Sequence, residues 1–533
     1  MAGGRGTRIA ALYPDLPKPL IPLDGIPVLE QELISLREQG LRRVIITVSH
    51  LADKIIAYFG DGSGISPATG RPFDLDISYF REEVPLGNAG ALLYLRPYLA
   101  DDFLLLNADS LFELDINRLL AFHHAHHPLA TILTHPNSHP YDSGLIITDN
   151  QNRVTRWLTK EDLRPEYYHN LVNAGVHVLS VRLIDDYLAA HPELSPCLAS
   201  KTANTELTPG APSAPIADNL HSQKPDTVLQ DPLKASRQDH ASLIFSAAPI
   251  SITDPDVVAG KRQGCGSGRG KSSPSRKGTG GWPGRGNLST FRLDLDRDLL
   301  RPLAGSGQLI SYRSPEYIKD MGTPERLEAV ARDVKAGLPQ SRSLRHPQKA
   351  VFLDRDGTLI RYVPFLNDPA KLELLHDAAT AIRQLNNSGY LVILVTNQPV
   401  IARGELTFAG LDEIHRKLET LLGREGAYLD AIYFCPHHPD KGFPGEIPEL
   451  KITCTCRKPS PGLLLKAAQD FNLNLQHCWM VGDATSDIAA GQAASCHTIM
   501  VPRDSSLCEE LPDCGQERSA DDLLSAVEMI QDS

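Results

Sequence analysis

Residues 349–359 read KAVFLDRDGTL, a short apolar run that stops on two aspartates and a glycine. The run Ala350–Leu353 fits a strand buried on both faces, because a half-buried strand would alternate. Asp354 and Asp356 follow, two residues apart on a glycine-containing turn, so their carboxylates can converge on one cation. The pattern recurs downstream. Tyr390–Val395 ends in Thr396-Asn397-Gln398, and Cys478–Val481 ends in Gly482-Asp483, with Asp487 four residues on. Ala378–Asn386, Leu411–Leu422 and Gly462–Asp470 carry helical periodicity between these runs. Strand, polar loop and helix in alternation predict a doubly wound parallel sheet. Ligands of such sheets bind beyond the carboxyl ends of the strands, where these polar residues fall.

In order and spacing, DRDGT at 354–358, TNQ at 396–398, RKP at 457–459 and GD at 482–483 resemble the haloacid-dehalogenase phosphatase superfamily over residues 349–502. The resemblance implies a Rossmann-like domain without a large cap and Mg²⁺-dependent hydrolysis of a phosphomonoester. Such chemistry needs an anionic nucleophile, charge neutralisation and a proton for the leaving oxygen. By resemblance, Asp354 attacks phosphorus, and Asp356 protonates the leaving alcohol and then activates water. Thr396, Asn397 and Lys458 hold the phosphoryl group. Mg²⁺ is held by Asp354, Asp483 and the backbone carbonyl of Asp356, with Asp487 supporting that shell.

Cys435-Pro436-His437 and, 16 residues later, Cys454-Thr455-Cys456 supply three thiolates and one imidazole. That is a closed tetrahedral set, suited to structural Zn²⁺. Cys456 directly precedes Arg457-Lys458, so the metal would fix the loop that carries the phosphate-binding lysine. His438 is read as exposed and outside the set. FLDRDGTL, VTNQ, IARG, CPHHPD and CRKPSPG together resemble the heptose bisphosphate phosphatases and the related histidinol-phosphate phosphatases. That likeness implies substrate choice by short loops, with Arg403 and Arg457 contacting substrate. Ala484 stands where heptose phosphatases often carry lysine, and Pro399-Val400 where Ser-Gly is usual.

The N-terminal half also alternates. Arg43–Val48, Asp74–Phe80, Phe103–Leu106, Leu129–Leu133, Leu145–Thr148 and Val172–Leu179 read as strands, Leu51–Phe59 and Asn88–Leu99 as helices. This predicts a second α/β domain with a mostly parallel sheet. Gly3-Gly4-Arg5-Gly6-Thr7-Arg8 lets backbone N–H groups approach phosphates, and Arg8 and Lys18 add charge. With PLGNAG at 85–90, NAD at 107–109, NAG at 173–175 and DMGTP at 320–324, it resembles the sugar-1-phosphate nucleotidyltransferases over residues 1–180 and about 290–337. The likeness is greatest to heptose or mannose 1-phosphate guanylyltransferases. It implies transfer of a nucleoside monophosphate from an NTP to a sugar 1-phosphate. Asp109 and Asp320 would hold Mg²⁺, Gly87 would lie against the base, and Lys160 would pair with the sugar phosphate. That family carries an apolar strand before its glycine loop. Here Met1-Ala2 precede Gly3, so the strands flanking that position are expected to lose ladder hydrogen bonds. His123, His124, His126 and His127 read as exposed residues at a helix end, favoured there by the dipole, rather than as metal ligands.

The chain has 533 residues, 41% apolar and 22% charged, with net charge −12. It can bury more than one core, and its acidity disfavours nucleic acid as the main partner. No apolar run approaches the roughly 20 residues of a membrane span, and no secretory leader is visible, so a cytoplasmic protein is expected. Nine cysteines, an odd number, do not suggest a disulfide framework. Residues 195–290 hold 21 Gly and Pro in 96 positions, against 59 in the other 437. This stretch reads as a disordered insertion, and its basic part, Lys261–Gly286, as a solvated linker rather than a nucleic-acid tail. The expected plan is a nucleotidyltransferase-like domain at 1–337, a linker at 338–348 and a phosphatase-like domain at 349–533.

Overall fold

The computed structural model describes residues 12–108, 110–194, 292–503 and 514–533. The expectations for Gly3, Gly4, Gly6, Thr7, Arg8, Asp109 and the 195–290 insertion lie outside the described residues.

In the N-terminal half, α1 (Val28–Glu38) precedes β1 (Arg43–Val48) and β2 (Asp76–Arg81), which pair in parallel. Next come α2 (Gly90–Leu95), β3 (Asp102–Leu106), β4 (Ser110–Glu113), α3 (Ile116–His126), β5 (Ala130–His135) and β6 (Val172–Ser180). After residue 292 follow β7 (Leu309–Arg313) and β8 (Tyr317–Asp320). One sheet has the order β7-β5-β6-β3. Only β7 and β5 run parallel in it, while β6 is antiparallel to both neighbours. The sheet is therefore mixed. Between β5 and β6 lie a hairpin and a short 3-10 turn among the described elements, with no crossover helix, so β6 returns beside β5 in the opposite sense. Between β1 and β3 runs an apolar cleft, walled by Val44–Ile46, Leu104–Leu106, Leu33 and Leu36 of α1, and Leu92 and Leu95 of α2.

In the C-terminal half the central strand is β9 (Lys349–Leu353). Around it lie β10 (Tyr390–Asn397), β11 (Ala431–Cys435), β12 (Trp479–Gly482), β13 (His497–Met500) and β14 (Arg518–Ser519), in the order β11-β10-β9-β12-β13-β14, all parallel. Ala350–Leu353 have no exposure, as a two-sided burial requires. The chain passes from β9 to β10 on one side and reaches β12 on the other, so the crevice opens at the carboxyl end of β9. Helices α4 (Phe408–Arg424), α5 (Gly462–Phe471) and α6 (Thr485–Ala493) cover the sheet. The stripe Leu411, Ile414, Leu418 and Leu422 explains α4, with Thr407 Oγ1 accepting from Gly410 N at 3.0 Å as its cap.

The segment expected as a linker is partly buried, at Pro339, Arg342–Leu344 and Gln348. Arg342 pairs with Asp430 at 2.7 Å, and Leu344 N donates to Glu316 Oε1 at 2.8 Å. Further links between the halves are Arg345 to Glu113 at 3.1 Å and Arg118 Nη1 to the Asp470 carbonyl at 2.8 Å. No helix among the described residues is long and apolar enough to cross a membrane.

Candidate functional site

The phosphatase-like crevice is built on the strand ends. Asp354 leaves β9 and is held by Lys458 Nζ at 2.6 Å. The same ammonium donates to the Val395 carbonyl at 2.8 Å and pairs with Asp487 Oδ1 at 2.7 Å, so its three donors are spent. Burial opposes the Lys458 charge, but the two carboxylates outweigh it and raise its pKa. Asp487 sits in the first turn of α6, accepts from Ala484 N at 3.1 Å, and is pushed up to about 7 by burial against the pull of Lys458. Oxygens of Asp354, Asp483 and Asp487 lie within 4.8 Å of one another. Such a convergence of buried carboxylates suits a hard divalent cation. Arg503 Nε donates to Asp483 Oδ2 at 2.6 Å and its guanidinium covers the Tyr362 ring.

Asp356 turns away from that group. Both its oxygens accept from Arg355 Nη2, at 3.0 and 2.9 Å, and Gln398 Nε2 donates to Oδ2 at 2.9 Å. Gln398 also donates to Thr396 Oγ1 at 2.9 Å and accepts from Arg355. Asn397 brackets the Lys458 backbone, donating to its carbonyl and accepting from its N–H, each at 3.0 Å. Arg403 is stacked between Phe365 and Phe443, 3.8 and 4.4 Å from their centroids, and pairs with Glu405. Arg457 donates to the His437 carbonyl at 3.3 Å.

The four expected soft ligands come together. Cys456 Sγ lies 3.2 Å from Cys435 Sγ and 3.3 Å from both Cys454 Sγ and His437 Nδ1. These separations are too long for a disulfide and near the corner spacing of a tetrahedron whose metal bonds are about 2.3 Å. His437 and two of the cysteines are buried. The donor set thus fits Zn²⁺. His438 stays outside it but is half-buried rather than exposed, with Nδ1 accepting from Asp440 N at 3.2 Å.

In the N-terminal half, β8 pairs antiparallel with β4, placing Asp320 opposite Ser110. The register brings Asp320 to the end of β4 across the whole insertion. Arg326 pairs with the Asp320 carboxylate. Gly87 has φ +86°, and a Cβ there would lie 2.3 Å from the Leu293 carbonyl oxygen. Leu293 N also donates to the Leu86 carbonyl at 2.8 Å. The chain returning from the insertion therefore pins the Gly87 loop. Lys18 opens a 3-10 turn and Lys160 is exposed. Of the histidine group, His123, His124 and His126 fill the last turn of α3 as expected. Only His127 is exposed, however: His124 and His126 are half-buried, and His123 is buried, with Nδ1 2.8 Å from Thr131 Oγ1. Position 123 falls on the apolar face with Leu119 and Leu120, so helical phase overrides the polar side chain.

Residues 1–208 match the nucleotidyl transferase family and residues 455–526 the HAD-hydrolase-like family. D-glycero-beta-D-manno-heptose-1,7-bisphosphate 7-phosphatase of Yersinia pestis is 38% identical over 154 residues, 29% of this chain and 80% of that protein. The chain belongs to the haloacid-dehalogenase phosphatases. The corresponding Pasteurella multocida phosphatase is 36% identical over 165 residues, 31% of this chain and 86% of that one. D,D-heptose 1.7-bisphosphate phosphatase from B. bronchiseptica, solved with magnesium and phosphate, is 32% identical, with TM-score 0.30, over 35% of this chain and all of that one. This haloacid-dehalogenase phosphatase thus carries a nucleotidyl transferase domain ahead of its phosphatase domain. Sequence reasoning did not single out Arg355, Gln398 or His415 of the phosphatase domain. Arg355 carried a visible signal, an arginine wedged between two aspartates. His415 carried none, because nothing local reveals what a helix face meets.

Proposed function

We propose that the chain is a bifunctional enzyme of nucleotide-activated heptose synthesis. Its C-terminal domain removes the 7-phosphate of D-glycero-D-manno-heptose 1,7-bisphosphate. Its N-terminal domain transfers a nucleoside monophosphate, from GTP by preference, to the sugar 1-phosphate. The observation that carries the reading is the Asp354–Lys458–Asp487 cluster with Asp356 held apart from it.

Asp354 Oδ attacks phosphorus, and the bond from phosphorus to the sugar oxygen breaks. Asp356 gives its proton to that oxygen. Asp356 then takes a proton from water, which attacks phosphorus, breaks the aspartyl-phosphate bond and releases phosphate. Thr396 orients phosphoryl oxygens, as does Lys458 once the phosphate displaces one of its partners, while Asn397 fixes the Lys458 backbone, and Arg403 and Arg457 reach toward the rest of the substrate. Asp354, Asp483 and the Asp356 carbonyl would hold Mg²⁺, which neutralises charge on the phosphoryl oxygens. Cys435, His437, Cys454 and Cys456 would hold Zn²⁺ as a structural ion. In the transferase domain, Asp109 and Asp320 would hold Mg²⁺, Gly3, Gly4, Gly6, Thr7, Arg8 and Lys18 the triphosphate, Gly87 the base and Lys160 the sugar phosphate. The two activities meet in one intermediate, since the product of the first is the acceptor of the second. The domains divide at 1–337, 338–348 and 349–533.

Purified full chain should release phosphate from the heptose bisphosphate and lose that activity in Asp354→Asn. Undiminished release in the variant would remove Asp354 as nucleophile, and faster turnover of histidinol phosphate would replace the substrate. Pyrophosphate release with GTP and heptose 1-phosphate, lost in Asp320→Ala, tests the other domain.

A further inference from the structure

Helix α4 connects the two halves of the molecule to the side chain of Asp356. Asp412, His415 and Glu419 are three and four residues apart, so they form one stripe along the helix. From the N-terminal half, His169 sits across this stripe, with Nε2 2.9 Å from Asp412 Oδ1 and Nδ1 bonded to Glu419. Arg313 of β7 adds a second grip, 3.3 Å from Glu419 Oε1 and 2.9 Å from the Leu429 carbonyl. Tyr168 N donates to Thr420 Oγ1, the residue after Glu419, at 2.9 Å. Glu419 is buried and the His169 side chain is 15% exposed, so these are not surface pairs that water screens away.

Between the two gripped carboxylates lies His415, fully buried, with Nε2 3.4 Å from Arg355 Nη1. A guanidinium has donors only, so Nε2 must accept and His415 must be neutral. Its burial, with the Arg355 charge behind it, holds its pKa well below 6.5, in agreement. Arg355 is 1% exposed and holds both Asp356 oxygens and Gln398. A buried arginine with one flank on His415 and the other on Asp356 transmits the helix's position to the carboxylate.

We propose that His169 and His415 are positioning residues of the phosphatase: the N-terminal domain clamps α4, and through His415 and Arg355 it sets the orientation of Asp356. The proposal rests on the reading of Asp356 as the proton donor. It makes the nucleotidyl transferase domain a working part of the phosphatase site, rather than a passenger.

A proton donor matters in proportion to how poor the leaving group is. p-Nitrophenolate is a weak base and leaves without a proton, whereas a sugar alkoxide does not. The full chain is therefore assayed with heptose 1,7-bisphosphate and with p-nitrophenyl phosphate. Asp356→Asn should lose most of its kcat/KM on the sugar ester and far less on the aryl ester, because kcat/KM ends at formation of the aspartyl-phosphate, before the water-activating step that both esters share. His415→Leu should lower kcat/KM on the sugar ester about 10-fold, and His169→Leu about 3-fold, with kcat/KM on the aryl ester little changed. His415→Gln keeps an acceptor for Arg355 and should restore most of the loss. Equal losses on both esters in the histidine variants would mean a merely structural role and overturn the proposal, as would full activity in both. If Asp356→Asn itself shows no leaving-group dependence, the reading of Asp356 fails. If Asp356→Asn shows it and the histidine variants do not, only the coupling fails.

Discussion

Gly357 carries the tightest constraint in the phosphatase crevice. Its φ is +94°, and a Cβ there would lie 2.4 Å from Asp483 Oδ2 and 3.1 Å from Arg503 Cγ. The backbone conformation disfavours any other residue, and the missing side chain leaves room for a carboxylate that faces Asp354. Gly357→Ala should therefore displace Asp483 rather than merely strain the turn. The expected outcome is at least about a 10-fold loss of phosphate release and a weakened Mg²⁺ requirement curve, with a melting temperature lower by several degrees. Titrating Mg²⁺ against activity separates the two effects. A variant that is destabilised but saturates at the wild-type Mg²⁺ concentration would show that the glycine serves the turn alone.

The loop from Cys454 to Pro461 joins the soft-ligand cluster to the crevice. Cys456 supplies a sulfur, Arg457 reaches back to the His437 carbonyl, and Lys458 delivers its ammonium to Asp354. Closing the cluster on a metal would tie this loop to Cys435 and His437 at the end of β11. Cys454→Ser should abolish about one bound zinc per chain and raise KM for the phosphate ester more than it lowers kcat. Metal analysis and steady-state kinetics check both, and a zinc-free variant with unchanged KM would separate the cluster from the loop. At this scale the sequence was informative where one segment sufficed. The expected strands and helices of the C-terminal half recur, although α4 runs from Phe408 to Arg424, beyond the expected Leu411–Leu422, because its ends, Phe408–Gly410 and Gly423–Arg424, do not continue the apolar period. All four soft ligands and the aspartates at strand ends were legible, because each chemistry sits in a short run. The sense of β6 was not, since it depends on how residues 136–171 are routed. The Arg355–His415 contact was not, since 60 residues separate its ends.

Taken as a whole, the molecule joins its halves through buried charge, and that makes the junction sensitive to pH. Two groups decide the direction. Burial pushes the Glu316 carboxyl, which accepts from Leu344 N and Asp115 N, up to about 7 from its ordinary 4.5. A raised carboxyl contributes stability that is complete below about pH 4.5 and is lost as the pH climbs toward 7. Burial works against the His169 charge, but Glu419 and Asp412 outweigh it, with Arg313, Arg416 and His415 nearby, so its pKa is raised above 6.5. A raised imidazole contributes stability that is complete below about pH 6.5 and is lost as the pH rises through the folded value. The two windows adjoin and have the same sign. Thermal unfolding of the full chain should therefore shift downward from pH 5 to above neutrality, with the upper part of the shift absent in His169→Leu and the lower part absent in Glu316→Gln. The comparison with each variant removes the contribution of every other titrating group. An upward shift with pH that vanishes in either variant would reverse the assigned signs, and identical slopes in all three chains would take the junction out of the pH response.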